Sequence, residues 1–445
     1  MKKVLIACLA AAPLAAVAAP IERILADISA QRVESNIRKL VSFGTRNSFS
    51  ETEDPARGIG AARRWIKAEL ERCGAGTRMK VEFDSHRVDS GSRIPRPVDF
   101  VNVVATIPGI QPESRARTYV VSGHYDSMPS DPVDGKSDAP GANDDASGTA
   151  VAMELACVLS HYDLDATVIL MAVAGEEQGL YGSTGFAKSA RAAGMDIAGM
   201  ITNDIVGNTR APDGSVHRDR LRLFAEGVPP EKAPSDSLLQ ALRTGGENDL
   251  ATRQLARAIE DAALAHVKGL RVDVIWRRDR YLRGGDHFPF LDAGYPAVRM
   301  TEPVEDWRHQ HQTPRVENGV QLGDLLEFVD FEYVAQVARV NAAAIASLAS
   351  APAAPRDVQM EALRLEPDTT LRWAPNTEPD LAGYRIVWRA TTAPRWEYSK
   401  DVGKVERATL TGISKDDFVF GVLAYDREGN ASPATYPRPF YPPRK

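Results

Sequence analysis

Histidine and carboxylate side chains occur in three short segments of the range 119–182. The first segment places His124 and Asp126 at the end of an apolar run rich in β-branched residues. A turn-rich stretch then contains the adjacent pair Asp144-Asp145, and a second apolar run ends at the pair Glu176-Glu177. An imidazole with several carboxylates and no cysteine is the ligand set expected of catalytic zinc.

The elements around these segments are predicted to bring them together. The two apolar runs are typical of β-strands, and residues 147–161 have the apolar spacing of a helix between them. Strands and helices go on alternating to residue 349, which predicts an α/β fold with a mostly parallel, mixed sheet sandwiched by helices. Ligand-type side chains at the carboxyl ends of such strands meet at one edge of the sheet.

The residue types indicate separate roles within the site. Asp126 lies two residues after His124, on the same face of a strand, and could fix the tautomer of the imidazole. Glu176 and Glu177 repel each other unless a cation or a proton intervenes, so one could bind metal while the other acts as a base. The simpler alternatives are a structural histidine at position 124 and a turn or helix N-cap at Asp144-Asp145.

Six segments in this order resemble the secreted zinc aminopeptidases of the bacterial leucyl aminopeptidase type, a family that includes glutamate carboxypeptidase and the transferrin receptor. The resemblance covers about residues 35–350. The segments that carry it are Ser122-Gly-His-Tyr-Asp-Ser127, Gly141-Ala-Asn-Asp-Asp-Ala-Ser-Gly148, Gly175 to Ser183, Asn203-Asp-Ile-Val-Gly207, Asp286-His-Phe-Pro-Phe290 and the loop around His311.

The resemblance implies a centre with two zinc ions. His124 and Asp204 would bind the first zinc, Glu177 and His311 would bind the second, and Asp144 would bridge the two. The family also implies a cis peptide bond after the bridging aspartate. These five residues are therefore the predicted metal ligands.

The same resemblance assigns Glu176 as the general base, and Asp126 is the other predicted catalytic residue. The last metal ligand has two candidates, because the loop at residues 308–313 contains both His309 and His311. We assign His311, since its distance from the following Thr-Pro fits the family better, and His309 is the alternative. All ligand positions and the base position are filled, which argues against the non-catalytic branch represented by the transferrin receptor.

These assignments predict a zinc-dependent exopeptidase, and specifically an aminopeptidase that acts on peptides with a free N-terminus. One alternative is a glutaminyl cyclase, which resembles this fold and uses one zinc. A carboxypeptidase is a further alternative, because Arg277, Arg278, Arg280 and Arg283 precede the Asp286 segment and could bind a substrate carboxylate. A non-enzymatic surface or carbohydrate-binding protein is the alternative from another class.

The start of the chain predicts export to the periplasm or the extracellular space. Residues 1–19 combine Lys2-Lys3, an apolar stretch and a small-residue cleavage site, as in a signal peptide. We find no later stretch in the sequence that is long and apolar enough for a transmembrane helix. The formal net charge of -6 argues against nucleic acid as a main partner.

The sequence pattern changes near residue 351. Residues 20–350 are predicted to form the catalytic domain, residues 351–356 a Pro/Ala linker, and residues 357–445 a β-sandwich that resembles a fibronectin type III module. Cys73 and Cys157 both lie in predicted helices, so we expect buried thiols in preference to a disulfide.

Overall fold

An eight-stranded mixed sheet forms the centre of the larger part of the protein in the computed structural model, which describes residues 20–230 and 234–440. The predicted signal peptide lies outside the described residues. The strands of this sheet are β1 (Lys80–Val88), β2 (Val98–Ile107), β3 (Arg117–His124), β4 (Thr167–Val173), β5 (Asp196–Asn203), β6 (Arg220–Ala225), β7 (Arg271–Ile275) and β8 (Ala297–Thr301).

The spatial order of the strands is β1-β2-β4-β3-β5-β8-β6-β7. The four central strands β4, β3, β5 and β8 are mutually parallel, whereas β2 joins β4 and β6 joins β8 in antiparallel pairs. The next two strands along the chain, β4 and β5, therefore lie on opposite sides of β3. In such sheets, the loops at this point separate and form a crevice at the carboxyl edge.

Helices cover both faces of the sheet. They are α1 (Pro20–Asp27), α2 (Ala30–Val41), α3 (Gly58–Cys73), α4 (Ala146–Leu159), α5 (Tyr181–Ala192), α6 (Asp236–Arg243), α7 (Ala251–His266), α8 (His287–Asp292) and α9 (Phe331–Ser350). A 3-10 turn (Leu326–Phe328) and a small hairpin of β9 (Arg315–Glu317) and β10 (Val320–Leu322) lie in the segment between β8 and α9.

The alternation of side chains along the strands divides the core into two layers. On β3, Val121 packs into the layer that contains α4, α7 and α9, whereas its neighbour Val120 packs against α5 and α8. Leu170 and Ile169 of β4 divide between the layers in the same way. The predicted fold, a mostly parallel mixed sheet sandwiched by helices, is confirmed.

Two local expectations were wrong. The apolar residues from Ile21 to Leu40 keep helical spacing, which predicts one helix. The chain instead forms α1 and α2, with Ser29 between them. The Ser29 side chain caps α2 by accepting a hydrogen bond from the Arg32 N–H at 3.3 Å. The main-chain N–H of Ser29 donates to Glu154 Oε1 at 2.6 Å. A new helix therefore begins after Ser29.

The expectation of free thiols is also wrong, because Cys73 and Cys157 form a disulfide. Cys73 is the last residue of α3 and Cys157 lies in the last turn of α4. Their Cα atoms are 5.3 Å apart, within the range that a disulfide requires. The helical spacing placed each cysteine correctly but contained no information on how the two helices pack.

The C-terminal part is all β, as predicted. One sheet has the order β15-β12-β11-β17 and the other the order β14-β13-β16. These strands are β11 (Arg356–Glu361), β12 (Thr369–Ala374), β13 (Leu381–Ala390), β14 (Tyr398–Gly403), β15 (Arg407–Leu410), β16 (Phe418–Asp426) and β17 (Arg438–Phe440). β11 begins at Arg356, the last residue of the predicted linker. The fibronectin type III assignment stays a prediction.

Buried ion pairs join the C-terminal sheets to the larger part. Asp249, which precedes α7, is buried and lies 2.6 Å from Arg389 of β13 and 3.2 Å from Arg257 of α7. Arg257 also donates to the Pro394 carbonyl at 2.9 Å and stacks near the ring of Trp396. The boundary is therefore a packed interface and not an open joint. Within residues 20–230 and 234–440, no helix has the length and apolarity needed to cross a membrane.

Candidate metal centre

The predicted ligands lie at the carboxyl edge of the central parallel strands. His124 ends β3, Asp204 follows the last residue of β5, and Glu177 lies in the turn after β4. Asp144 is in the loop immediately before α4, and His311 comes from the long segment after β8. Parallel strand order brings these otherwise distant parts of the chain to one place.

Close backbone packing holds the Asp144 loop over the strand ends. A Cβ at Gly123 would lie 2.2 Å from the Gly148 carbonyl carbon, and a Cβ at Gly148 would lie 2.0 Å from the Asn203 carbonyl oxygen. Neither position has room for a side chain, so both glycines permit α4 to begin directly above β3 and β5. The peptide bond between Asp144 and Asp145 is cis, as the family resemblance implied.

Two groups of donor atoms meet at the Asp144 carboxylate. In the first group, His124 Nε2 lies 3.1 Å from Asp144 Oδ1 and 3.9 Å from Asp204 Oδ1. In the second, His311 Nε2 lies 3.1 Å from Asp144 Oδ2 and 3.1 Å from Glu177 Oε2. Each group has its ligand atoms within 4.8 Å of one another, and Asp144 contributes one oxygen to each side.

The hydrogen bonds of His124 fit a metal ligand. Its Nδ1 lies 3.2 Å from the Asp126 main-chain carbonyl, which requires the proton on Nδ1 and leaves the Nε2 lone pair free. Nε2 is buried and has no hydrogen-bond partner in the described structure, and the same is true of Glu177 Oε1. Unpaired buried atoms of this kind are costly unless a metal satisfies them.

The charge of the site also favours a cation. Burial would lower the pKa of His124, but the nearby carboxylates of Asp126 and Asp144 raise it well above its usual value. Burial would also lower the pKa of His311, but the carboxylates of Glu177 and Asp144 raise it well above its usual value. Negative charge that retains protons on two imidazoles will also hold a divalent metal. The donor set of imidazoles and carboxylates suits zinc.

Asp126 contacts His124 through its main chain and the Glu176-Glu177 turn through its carboxylate. The partner of His124 is the Asp126 carbonyl, whereas the carboxylate oxygen is 3.6 Å from Nδ1. The Asp126 carboxylate instead accepts the N–H groups of Glu176 at 3.3 Å and Glu177 at 3.2 Å. It therefore fixes the turn that carries the predicted base and one predicted ligand.

Glu176 lies next to the metal ligands and is partly exposed. Burial raises the pKa of its carboxyl well above the usual value, and the charges of Asp204 and Glu177 act in the same direction. A raised pKa makes a carboxylate a stronger proton acceptor.

Two further aspartates support the site, and for one of them, Asp145, the sequence offered only a turn or a helix N-cap. Asp145 is the N-cap of α4, where it accepts the Gly148 N–H at 2.8 Å, and it also accepts the His124 N–H at 2.9 Å. Asp324 accepts the Asn143 N–H and the Asp144 N–H at 2.8 and 2.6 Å. Asp145 carries a recognisable capping signal, but Asp324 lies far along the chain in a loop and carries none.

Arg46 is a further support that the sequence did not reveal. It is fully buried, and its guanidinium donates to the carbonyls of Tyr125 at 2.6 Å, Pro140 at 2.6 Å and Gly141 at 2.9 Å. These bonds tie the loop after His124 to the loop before Asp144.

The alternative ligand His309 and the four arginines proposed to bind a substrate carboxylate have other partners in the structure. His309 stacks on Phe328 with ring centroids 3.6 Å apart and lies outside both groups. Arg278 pairs with Glu226 and Asp292, and Arg280 pairs with Asp279 and Glu305. The arginines that could have bound a substrate carboxylate are therefore largely engaged with acidic side chains. Arg277 and Arg283 stack on the rings of Tyr281 and Trp307, respectively.

The fold and the donor set together define a class, the metallohydrolases whose site lies at the carboxyl edge of an α/β sheet. A family model for "Peptidase family M28" matches residues 102–318. A probable zinc metalloprotease of Leptosphaeria maculans is 48% identical over 421 residues, which cover 94% of this chain and 97% of that protein. Another, from Pyrenophora tritici-repentis, is 47% identical over 417 residues, covering 93% of this chain and 86% of the relative.

Among solved structures, the LapA aminopeptidase of Legionella pneumophila has a similar fold, with a TM-score of 0.50 at 18% identity and 74% of each chain covered. The chain belongs to peptidase family M28 and is a zinc metallopeptidase.

Proposed function

We propose that this metallopeptidase is an exported aminopeptidase that uses two zinc ions. The observation that carries the proposal is the single carboxylate of Asp144 shared by two histidine–carboxylate groups. His124 and Asp204 would hold one ion, and Glu177 and His311 the other. Two zinc ions at these positions would supply electrophilic polarisation of the scissile carbonyl and a water of lowered pKa.

Glu176 is assigned the proton transfers. It would accept a proton from the attacking water and return it to the leaving amine. Its position supports this role, because it lies in the turn after β4, directly before the proposed ligand Glu177, and is partly exposed. The Asp126 carboxylate keeps Glu176 in place through the main chain.

Export is supported by two independent features. Residues 1–19 have the composition of a signal peptide. The Cys73–Cys157 disulfide is of the kind that persists in oxidising compartments such as the periplasm or the extracellular space.

The proposal is tested by metal analysis and a substrate panel on the full chain saturated with zinc. The panel contains aminoacyl substrates with free N-termini, the same substrates with blocked N-termini, and peptides that begin with glutamine. We expect two zinc ions per chain and hydrolysis of the unblocked substrates alone. Cyclisation of N-terminal glutamine with one bound zinc would show a glutaminyl cyclase instead, and cleavage of blocked substrates from the C-terminus a carboxypeptidase.

A further inference from the structure

A buried arginine contacts one of the proposed zinc ligands. Arg299, in the middle of β8, is 1% exposed, and its Nη2 lies 2.9 Å from Asp204 Oδ1. The same oxygen is 3.9 Å from His124 Nε2, on the side of the first donor group. The carboxylate of that group is thus already paired with a cation of the protein.

The guanidinium of Arg299 is held firmly in this position. Nη2 also donates to the Asp204 carbonyl at 3.3 Å, and Nη1 donates to the Gly284 carbonyl and to Asp279 Oδ2 at 3.3 Å. A guanidinium is not deprotonated in proteins, so Arg299 is a fixed positive charge beside Asp204.

The second donor group has no comparable counter-charge. Among the residues that the structure describes, the carboxylates of Asp144 and Glu177 form ion pairs with His124 and His311 and with no arginine or lysine. The nearby Arg93 donates to the main-chain carbonyl of Glu177, at 2.7 Å, and not to its carboxylate.

The position of Asp204 does not depend on Arg299 alone. The Asp204 N–H donates to the Met300 carbonyl at 3.2 Å, and the preceding Asn203 pairs with Met300 in the ladder between β5 and β8. The backbone therefore places the aspartate at the edge of the sheet. The main consequence of Arg299 is electrostatic: it neutralises part of the charge that the first group offers to a metal.

We propose that Arg299 makes the two halves of the metal centre unequal, with zinc bound more weakly by His124 and Asp204 than by Glu177 and His311. This inference rests on the proposed two-zinc site. A positive charge in contact with a ligand carboxylate repels a second cation, and burial leaves that repulsion poorly screened. Zinc would therefore bind first to the half that contains His311. The half that contains His124 would become occupied only at higher zinc concentration.

The test is a competition titration of the metal-free full chain with zinc against a chromogenic chelator. We expect two dissociation constants in the wild type that differ by about tenfold or more. Arg299→Met should tighten the weaker site by about tenfold and narrow the gap, whereas Arg299→Lys should retain the gap. Arg222→Met is the matched control, because Arg222 pairs with Glu305 at 2.6 Å and forms no ion pair with either donor group in the part of the chain that the structure describes.

Single-site variants assign the two constants without any change at Arg299. We expect His124→Ala to abolish the weaker site and His311→Ala to abolish the tighter one. Two equal constants in the wild type, loss of the tighter site in His124→Ala, or weaker binding in a folded Arg299→Met would each overturn the inference. Circular dichroism establishes that each variant is folded. Absence of zinc binding in the wild type would refute the proposed function. Two zinc sites with equal dissociation constants in an active peptidase would refute only the role of Arg299.

Discussion

At the scale of single residues, the adjacent glutamates illustrate how position separates two identical side chains. Glu177 lies 3.1 Å from His311 and has one unpaired buried oxygen, as a ligand should. Glu176 is partly exposed and forms no ion pair in the described structure, as suits a group that exchanges protons with substrate and water.

We predict that Glu176→Gln keeps both zinc ions and lowers kcat by about 10²–10⁴-fold, with a small change in KM. Glutamine keeps the shape of the side chain but cannot accept the proton. Zinc analysis and steady-state kinetics measure both quantities.

Glu177→Ala serves as the comparison, and we expect it to lose zinc as well as activity. If Glu176→Gln loses zinc while Glu177→Ala keeps it, the two roles are reversed.

Asp165, between α4 and β4, gives a prediction on pH and stability. Partial burial, with help from the charges of Asp380, Asp426 and Glu428, raises the pKa of Asp165 to about 6. The folded state therefore binds a proton that the unfolded state has released above its pKa of about 4. The contribution of Asp165 to the free energy of unfolding is therefore fully present below a pH of about 4. It is lost as the pH rises through about 6, where the carboxyl of the folded protein ionises.

We predict that Asp165→Asn removes this loss and makes the variant more stable than the wild type at pH 7. Because the side chain is only half-buried and solvent screens its charge, the expected gain is only on the order of 1 kcal/mol. Denaturant unfolding of both proteins at pH 4.5 and pH 7 measures it. The difference between them should grow with pH, and a constant difference would contradict the assignment.

At the scale of elements, the disulfide joins the end of α3 to α4 across 84 residues of sequence. A link that closes a loop of this length restricts the unfolded chain strongly. The sequence predicted both helices but not the bond between them.

We predict that Cys73→Ala combined with Cys157→Ala lowers the free energy of unfolding by about 2–5 kcal/mol. Chemical denaturation under oxidising conditions measures the change. The reduced wild type is the control, since it lacks the bond but keeps both side chains. A double variant as stable as the oxidised wild type would show that the bond does not stabilise the fold.

At the scale of the whole molecule, the C-terminal sheets share a buried interface with the larger part. Asp249 has no exposed side-chain surface and depends on Arg389 across that interface, with Arg257 as its second partner. The sequence predicted a Pro/Ala linker at residues 351–356. The C-terminal sheets nevertheless pack against the larger part, so loss of this interface should lower the stability of the protein.

We predict that Arg389→Met destabilises the protein by about 3 kcal/mol, because a buried aspartate loses its nearest partner. Arg395→Met is the control. Arg395 lies at the same interface and pairs with Glu260 and Asp261, but it is 39% exposed, so its loss should cost at most about 1 kcal/mol. Zinc content should be unchanged in both variants, since none of the proposed ligands lies beyond residue 311. Equal costs would contradict a stabilising role for the buried pair.

The sequence by itself determined the fold class and indicated the candidate site residues. Hydrophobic periodicity records which residues face a core, so it indicated the strands β3 and β4 and the helix α4 between them. Residue types near the strand ends then indicated His124 and the pairs Asp144-Asp145 and Glu176-Glu177. The family resemblance selected Asp144 and Glu177 from these pairs and added Asp204 and His311. These signals are local, and a single sequence contains them.

Only the tertiary structure decided the contacts between segments that are far apart in the chain. The bonds from Asp324 to the Asp144 loop and from Arg299 to Asp204, like the joining of the two cysteines, depend on how loops and helices pack. A buried arginine or a loop aspartate has the same local pattern whether it supports a metal ligand or a neighbouring turn. Its role follows from distance in space, which periodicity and residue type do not encode.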